Sequence, residues 1–376
     1  MTRRVLIASM SVGGGHGKAG ACVADALGDL APDWDVRSVD LADYAAGWFR
    51  TLYVAGYLFI VRRVPWLWGF LYRHPPRRGG TLPPWALRTG LRPFERLVRE
   101  LQPDAILATQ ITASEAAASL RARGIHRGAN ATIVTDFDSH PSWRSDGIDL
   151  FFVPDEAIRD GLARVGIAAE RIKATGVPIS PAFEQSFNLA VLKARHRIRP
   201  GVPVVLLMGG SLGLGGMEDT ARALLASGRP LDLLVVTGHN ARLRKRLERL
   251  QPPGATRLRV FGYVDYVAEL MAASDLFVSK PGGLSMTEAM TLAVPTLAIC
   301  PLPGQEEANA RHLQALGAVD GLRPGESIAA AVERLLADAA ARSRLSAAAR
   351  EAVHPGSARR IAARIIELVE NWRGTS

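Results

Sequence analysis

Twice in this chain an apolar strand-like run ends in a glycine-rich loop that opens a helical stretch. That pairing constrains the fold more than any other feature. Val5 to Ser9 leads into Gly13-Gly14-Gly15-His16-Gly17, and Lys18 to Leu30 follows with a helical pattern. Val204 to Met208 leads into Gly209-Gly210-Ser211-Leu212-Gly213-Leu214-Gly215-Gly216, with a helix expected from about Met217. A strand, glycine turn and helix in succession belong to a parallel sheet covered by helices. Further strand-like runs at 36–39, 105–108, 132–135 and 150–153 surround the first loop, with a helix at 114–123; runs at 233–237, 258–261, 276–279 and 296–299 surround the second. The rhythm stops at Val177-Pro178-Ile179-Ser180-Pro181, where two prolines favour an extended connector. The expectation is an α/β chain of two doubly wound domains facing a cleft. They cover 1–180 and 181–355, and a C-terminal helix at about 356–376 packs back on the first. A chain of 376 residues is too long for one ordinary core and sufficient for two. Ligands of such sheets bind at the carboxyl ends of the strands, where the motifs below fall.

The two cysteines, Cys22 and Cys300, sit in apolar settings and read as reduced core thiols. No secretory signal precedes the first strand. The longest strongly apolar run, 52–61, is ten residues long and stops at Arg62-Arg63. A membrane-spanning helix needs roughly 20.

His16 ends the first glycine loop at the expected cleft mouth, with a side chain suited to proton transfer near neutrality. Gly14 and Gly15 allow close backbone approach there. In the second loop, Gly209, Gly210 and Ser211 precede a helix start whose backbone N–H groups suit a diphosphate. The loop fits neither Gly-x-Gly-x-x-Gly nor a P-loop, which disfavours nicotinamide cofactors and ATP hydrolysis. Lys280-Pro281-Gly282-Gly283-Leu284-Ser285-Met286-Thr287-Glu288 opens another helix. Gly282, Gly283, Ser285, Thr287 and Glu288 could hold a phosphate and a ribose diol there. The simpler alternative is a capping box with Ser285 as N-cap and Glu288 at N3. Gln305, Glu306 and Asn309 cluster where amides and carboxylates could grip sugar hydroxyls. Asp136, Asp138, His140 and Trp143 close a first-domain strand. Two acids and a histidine there raise a metal as an alternative, but no second cluster at ligand spacing supports it, so no metal and no cofactor are expected.

Residues 44–94 contain no Asp or Glu and carry Arg50, Arg62, Arg63, Arg73, Arg77, Arg78, Arg88 and Arg92, eight of the ten positive charges in excess. Ten aromatics, Trp66 and Trp68 among them, fall within 44–72. Rings with arginines and no acids suit an anionic membrane interface. A core or oligomer contact is the alternative, and nucleic acid is disfavoured as a partner.

Taken in order, GGGHG at 13–17, VTDFDSHPSW at 134–143, TGVPI at 175–179, GGSLGLGG at 209–216, TGHN at 237–240, GYV at 262–264, KPGGLSMTEA at 280–289 and GQEEAN at 304–309 are collinear with a known family. The chain resembles the monogalactosyldiacylglycerol synthases of plants and the processive diacylglycerol glucosyltransferases of bacteria. More remotely it is similar to the peptidoglycan N-acetylglucosaminyltransferase. The resemblance implies a GT-B fold and an inverting, metal-independent transfer from a UDP-sugar to diacylglycerol at the cytoplasmic face of the membrane. It implies His16 as the base, with Asp136 as the alternative, and the loop 209–216 on the donor phosphates. His239, Asn240, Tyr263 and Val264 line the uridine and phosphate site, Glu288 the ribose, and Gln305, Glu306 and Asn309 the sugar. The acceptor and membrane side would comprise Gly14, Gly15, His140, Trp143, Arg62, Arg63, Trp66 and Trp68. Leu212, His239 and Ala308 depart from the family's pattern, and glucose, galactose and N-acetylglucosamine stay open as donors. A different lipid acceptor, a soluble UDP-sugar 2-epimerase and a non-catalytic sugar-nucleotide binder are the other readings.

Overall fold

A computed structural model describes residues 2–10, 14–74, 82–211, 213 and 215–372; of Val54, Tyr57, Leu58, Val61, Arg62 and Pro65 it describes the backbone alone. Gly13, Leu212, Leu214, Arg77, Arg78 and the Arg62 side chain therefore lie outside the described residues. The chain divides into two compact units, one of 1–180, 303–305 and 354–376, the other of 181–302 and 306–353.

The first unit is a six-stranded parallel sheet of β1 (Arg4–Ser9), β2 (Asp35–Asp40), β3 (Ala105–Ala108), β4 (Ala129–Ile133), β5 (Leu150–Val153) and β6 (Ile172–Ala174), in the order β2-β1-β3-β4-β5-β6. Side chains alternate across a strand, so β1 feeds both faces. Val5 and Ile7 pack with Val23 and Leu27 of the helix Gly15–Leu30 and with Ile361, Ala362, Ile365 and Val369 of the helix Ser357–Glu370. Leu6 and Ala8 face the other way, onto Phe49, Leu87, Leu91, Phe94 and Val98. The chain's last helix is thus part of the first unit's core. Ser357 Oγ donates to the Val177 carbonyl at 2.7 Å and Arg360 to the Thr175 carbonyl at 2.7 Å, fastening it to the connector.

Part of the acid-free segment is core. Phe49 and Phe94 are buried, and Phe49 stacks on Tyr53 with ring centroids 5.6 Å apart. Trp48, Leu52, Phe59, Trp66, Phe70, Leu71 and Trp85 stay exposed. Trp48 and Trp85 come from the helices Gly47–Arg50 and Pro84–Gly90 and stack 6.4 Å apart, building a shared outer face.

The second unit is another six-stranded parallel sheet: β7 (Val204–Met208), β8 (Asp232–Val236), β9 (Arg257–Phe261), β10 (Leu276–Ser279), β11 (Thr296–Ala298) and β12 (Asp320–Gly321), in the order β12-β11-β10-β7-β8-β9. Val205, Leu207, Leu233, Val235, Leu276 and Val278 form its core with Met217, Leu224 and Leu335 from the flanking helices. In each sheet the order reverses beside the first strand, between β1 and β3 and between β7 and β10. Helices leave in opposite directions at that point and open a crevice at the carboxyl ends of the strands. Both glycine loops start there.

Candidate active site

In the first unit, Gly14 adopts a left-handed conformation (φ 78°) as N-cap of Gly15–Leu30, a turn that glycine makes without Cβ strain. It places His16 in the first turn of the helix, half-buried. Thr135 Oγ1 lies 3.1 Å from His16 Nδ1. Burial holds the His16 imidazole below its ordinary pKa of 6.5, while the Asp136 carboxylate and a hydrogen bond to the Thr109 backbone pull the other way. His16 and Asp136, the two candidate bases, are close enough for the carboxylate to act on the imidazole. Thr109 follows β3 and Thr135 follows β4, so three loops at the crevice share one imidazole.

His140 and Trp143, expected on the acceptor side, are both engaged within the first unit. The Ser142 N–H donates to His140 Nδ1 at 3.2 Å, and Nε2 stands 2.7 Å from the Tyr72 carbonyl. The proton is therefore on Nε2 and both ring nitrogens are engaged. The Tyr72 ring also lies against His140, centroids 4.1 Å apart and tilted by 34°, and its hydroxyl donates to Asp138. Trp143 is 4% exposed and packs against Val134, Ile148 and Phe151. The apolar ring completes a core that the sequence order alone does not reveal. Trp68, half-buried, donates from Nε1 to Gln305 Oε1 at 3.1 Å within the same unit. Trp66 and Arg63 are exposed.

In the second unit, Gly216 (φ 65°) is the left-handed N-cap of the helix Met217–Ala226. The loop 209–216 leans on the TGHN turn: His239 N–H donates to Ser211 O at 2.9 Å, and a Cβ on Gly238 would stand 2.4 Å from that oxygen. His239 and Tyr263 are both exposed and stack with centroids 4.6 Å apart, 12° from parallel. They form a flat aromatic platform beside the loop 209–216, with half-buried Val264 next to it. Asn240 caps the helix Ala241–Leu247, its Oδ1 accepting the Leu243 N–H at 3.0 Å.

Gly282 is the N-cap of the helix Gly283–Thr291, without a side-chain cap. That excludes the capping box: Ser285 is the third helical residue and Glu288 lies in the second turn, 7% exposed. Thr287 is buried and bonds back to the Gly283 carbonyl at 2.9 Å, so its hydroxyl serves the helix. Asn309 has no exposed surface and donates to the Pro281 carbonyl at 3.0 Å. That bond ties it to the turn 280–283. Glu306, also buried, forms an ion pair with Lys280 and accepts the Leu302 N–H at 2.9 Å. Lys280 is the residue missed by motif reasoning. It stood inside a quoted motif, and only its proximity to the glycine loop, a tertiary fact, marks it. No group of three or more His, Cys, Asp and Glu among the described residues could hold a metal ion.

Over nearly its whole length the chain shares its fold with Acinetobacter baumannii MurG, at a TM-score of 0.64 and 15% identity, covering 97% of this chain and 99% of that one. The UDP-GlcNAc 2-epimerase of Neisseria meningitidis, solved with UDP-GlcNAc bound, gives 0.58 at 13% identity over 97% and 100%. The fold is GT-B, two Rossmann-like units each with a glycine loop at its switch point. Residues 16–179 match the family described as Monogalactosyldiacylglycerol (MGDG) synthase, and 221–352 match Glycosyl transferases group 1. Each half of the chain is thus similar to one of these families. One relative is the processive diacylglycerol beta-glucosyltransferase of Bacillus subtilis, 31% identical over 254 residues, which are 67% of this chain and 65% of the relative. Its namesake in Bacillus mycoides is 32% identical over 55% of this chain and 53% of its own length. The chain thus spans less than two thirds of either relative.

Proposed function

We propose that the chain transfers a hexose from a UDP-sugar to the primary hydroxyl of diacylglycerol, with inversion, at the cytoplasmic surface of an anionic membrane. The observation that carries this reading is His16: an imidazole kept neutral by burial, at the switch point of the first sheet, beside a carboxylate. In the proposed step the acceptor oxygen attacks the anomeric carbon and its proton passes to His16. The bond from that carbon to the phosphate oxygen breaks, and its electron pair leaves with UDP. Asp136 then faces an imidazolium, which its charge stabilises. The loop 209–216 and the helix start after it hold the departing phosphates, the His239–Tyr263 platform takes the uracil, and Glu288 takes the ribose. No metal enters the step.

The names of the relatives support the lipid acceptor, and so does the outer face of the first unit. Trp48, Phe59, Trp66, Phe70 and Trp85 are exposed among Arg50, Arg63, Arg73 and Arg88, with no acid between residues 44 and 94. No helix among the described residues is long and apolar enough to cross a membrane, so this face would dock the chain peripherally. The fold's likeness to a UDP-GlcNAc 2-epimerase favours a second reading, a soluble epimerase, which has no use for such a face.

His16→Ala tests the reading. Loss of a general base costs roughly 10²–10⁴-fold in rate; UDP affinity, measured by calorimetry, should stay within a few-fold. Normal turnover in this variant would remove His16 from the mechanism.

A further inference from the structure

We propose that Lys280 supplies the positive charge that meets the donor's diphosphate and stabilises the UDP leaving group. The inference rests on the donor half of the function proposed above, and it concerns a residue to which the motif reading assigned no role.

Position is the first argument. Ser279 pairs with Met208 across the β10–β7 ladder, so Lys280 and Gly209 leave neighbouring strands side by side at the switch point of the second sheet. Lys280 therefore lies against the phosphate loop by topology. Its stem confirms the approach: a Cβ built on Gly210 would lie 3.5 Å from Lys280 Cε, and one on Gly215 would lie 3.4 Å from its Cβ and 3.6 Å from its Cδ. Both glycines have positive φ, 69° and 87°. Gly210 and Gly215 thus both lie against the methylenes of one lysine. A Cβ on Gly282 would stand 3.8 Å from Nζ, which places the ammonium beside the first turn of Gly283–Thr291.

Charge is the second. The Lys280 side chain is 17% exposed and that of its partner Glu306 is 6% exposed. Two apolar residues of similar volume would hold such a contact at least as well as a desolvated ion pair, so stability alone does not call for the ammonium. Glu306 is itself fixed by the Leu302 N–H and takes one hydrogen bond from the ammonium. An ammonium has three donors, enough to keep Glu306 and reach a phosphate oxygen. In the transfer, the anomeric C–O bond breaks and its electron pair stays on the β-phosphate oxygen. Lys280 donates a hydrogen bond to that oxygen without giving up its proton, and the acceptor's proton goes to His16.

The test is calorimetric binding of UDP, UMP and uridine to the full chain, without acceptor, for wild type, Lys280→Met, Lys280→Arg and Glu306→Gln. Lys280→Met should weaken UDP at least tenfold and UMP less, and leave uridine unchanged, while Lys280→Arg retains most of the UDP affinity. Equal UDP binding by wild type and Lys280→Met would overturn the inference, as would equal loss for UDP and uridine, the mark of a merely structural pair. Should Lys280→Met fail to fold, Glu306→Gln decides: with its counter-charge gone, the ammonium should bind UDP at least as tightly as in wild type, and weaker binding contradicts the role. The two readings fail separately. If Lys280→Met behaves as expected but no glycolipid forms, only the acceptor assignment falls. If wild type binds no UDP, both fall.

Discussion

In the proposed step His16 is neutral before the reaction and charged after it, and its surroundings act on each state. Burial lowers its pKa from 6.5 and Asp136 opposes the shift. A base whose pKa is lowered is active above that pKa, so kcat/KM should rise with pH through a midpoint below 6.5 and level off near neutrality. Asp136→Asn removes an influence that raises the pKa. The midpoint should then move lower still while the plateau falls, because the imidazolium loses its counter-charge. A midpoint above 6.5, or one that rises in Asp136→Asn, would contradict the assignment. Glu288 makes a simpler claim. If its carboxylate takes the ribose hydroxyls, Glu288→Ala should weaken UDP by about 2–3 kcal/mol, the scale for a charge-assisted hydrogen-bonded pair. Unchanged affinity would leave it a buried helix residue.

At the scale of elements, the loops that carry the chemistry were legible because each follows a buried strand of a parallel sheet, and the strands at 105–108, 150–153, 204–208 and 276–279 lie where the apolar runs put them. Less legible was anything that depends on which way a side chain turns. Trp143 and His140 share a motif with Asp136, yet one fills a core and the other ties a turn to Tyr72. Asn309 lies on the sugar-gripping motif and points inward to Pro281. β6 and β12, with only three and two residues, leave no periodic signal. The acid-free segment was legible as unusual but not as divided, since burial of Phe49 and exposure of Trp48 differ by one residue. Its outer face makes a measurable claim. Replacing Trp48, Trp66 and Trp85 by Ala should remove a part of vesicle affinity that salt does not affect. Replacing Arg63 and Arg88 should remove about 1 kcal/mol each, and that part should vanish at high salt, where screening shortens to about 3 Å. Co-sedimentation with anionic and neutral vesicles checks both. Equal binding to the two lipid types would make the face a contact between proteins.

The whole molecule joins two parallel-sheet units of different strand order, each with its glycine loop where that order reverses, and the account assigns a nucleophile to one and a leaving group to the other. The most direct measurement is product analysis: the purified chain, UDP-glucose, UDP-galactose or UDP-N-acetylglucosamine, anionic vesicles containing diacylglycerol, and EDTA throughout. Nuclear magnetic resonance of the extracted lipid gives the anomeric configuration of any sugar attached. The account predicts a β-linked glycosyl-diacylglycerol from at least one of these α-linked donors, formed despite the chelator and absent with His16→Ala. An α-linked product, a strict need for added Mg²⁺ or Mn²⁺, or an epimerised UDP-sugar with no lipid product would contradict it.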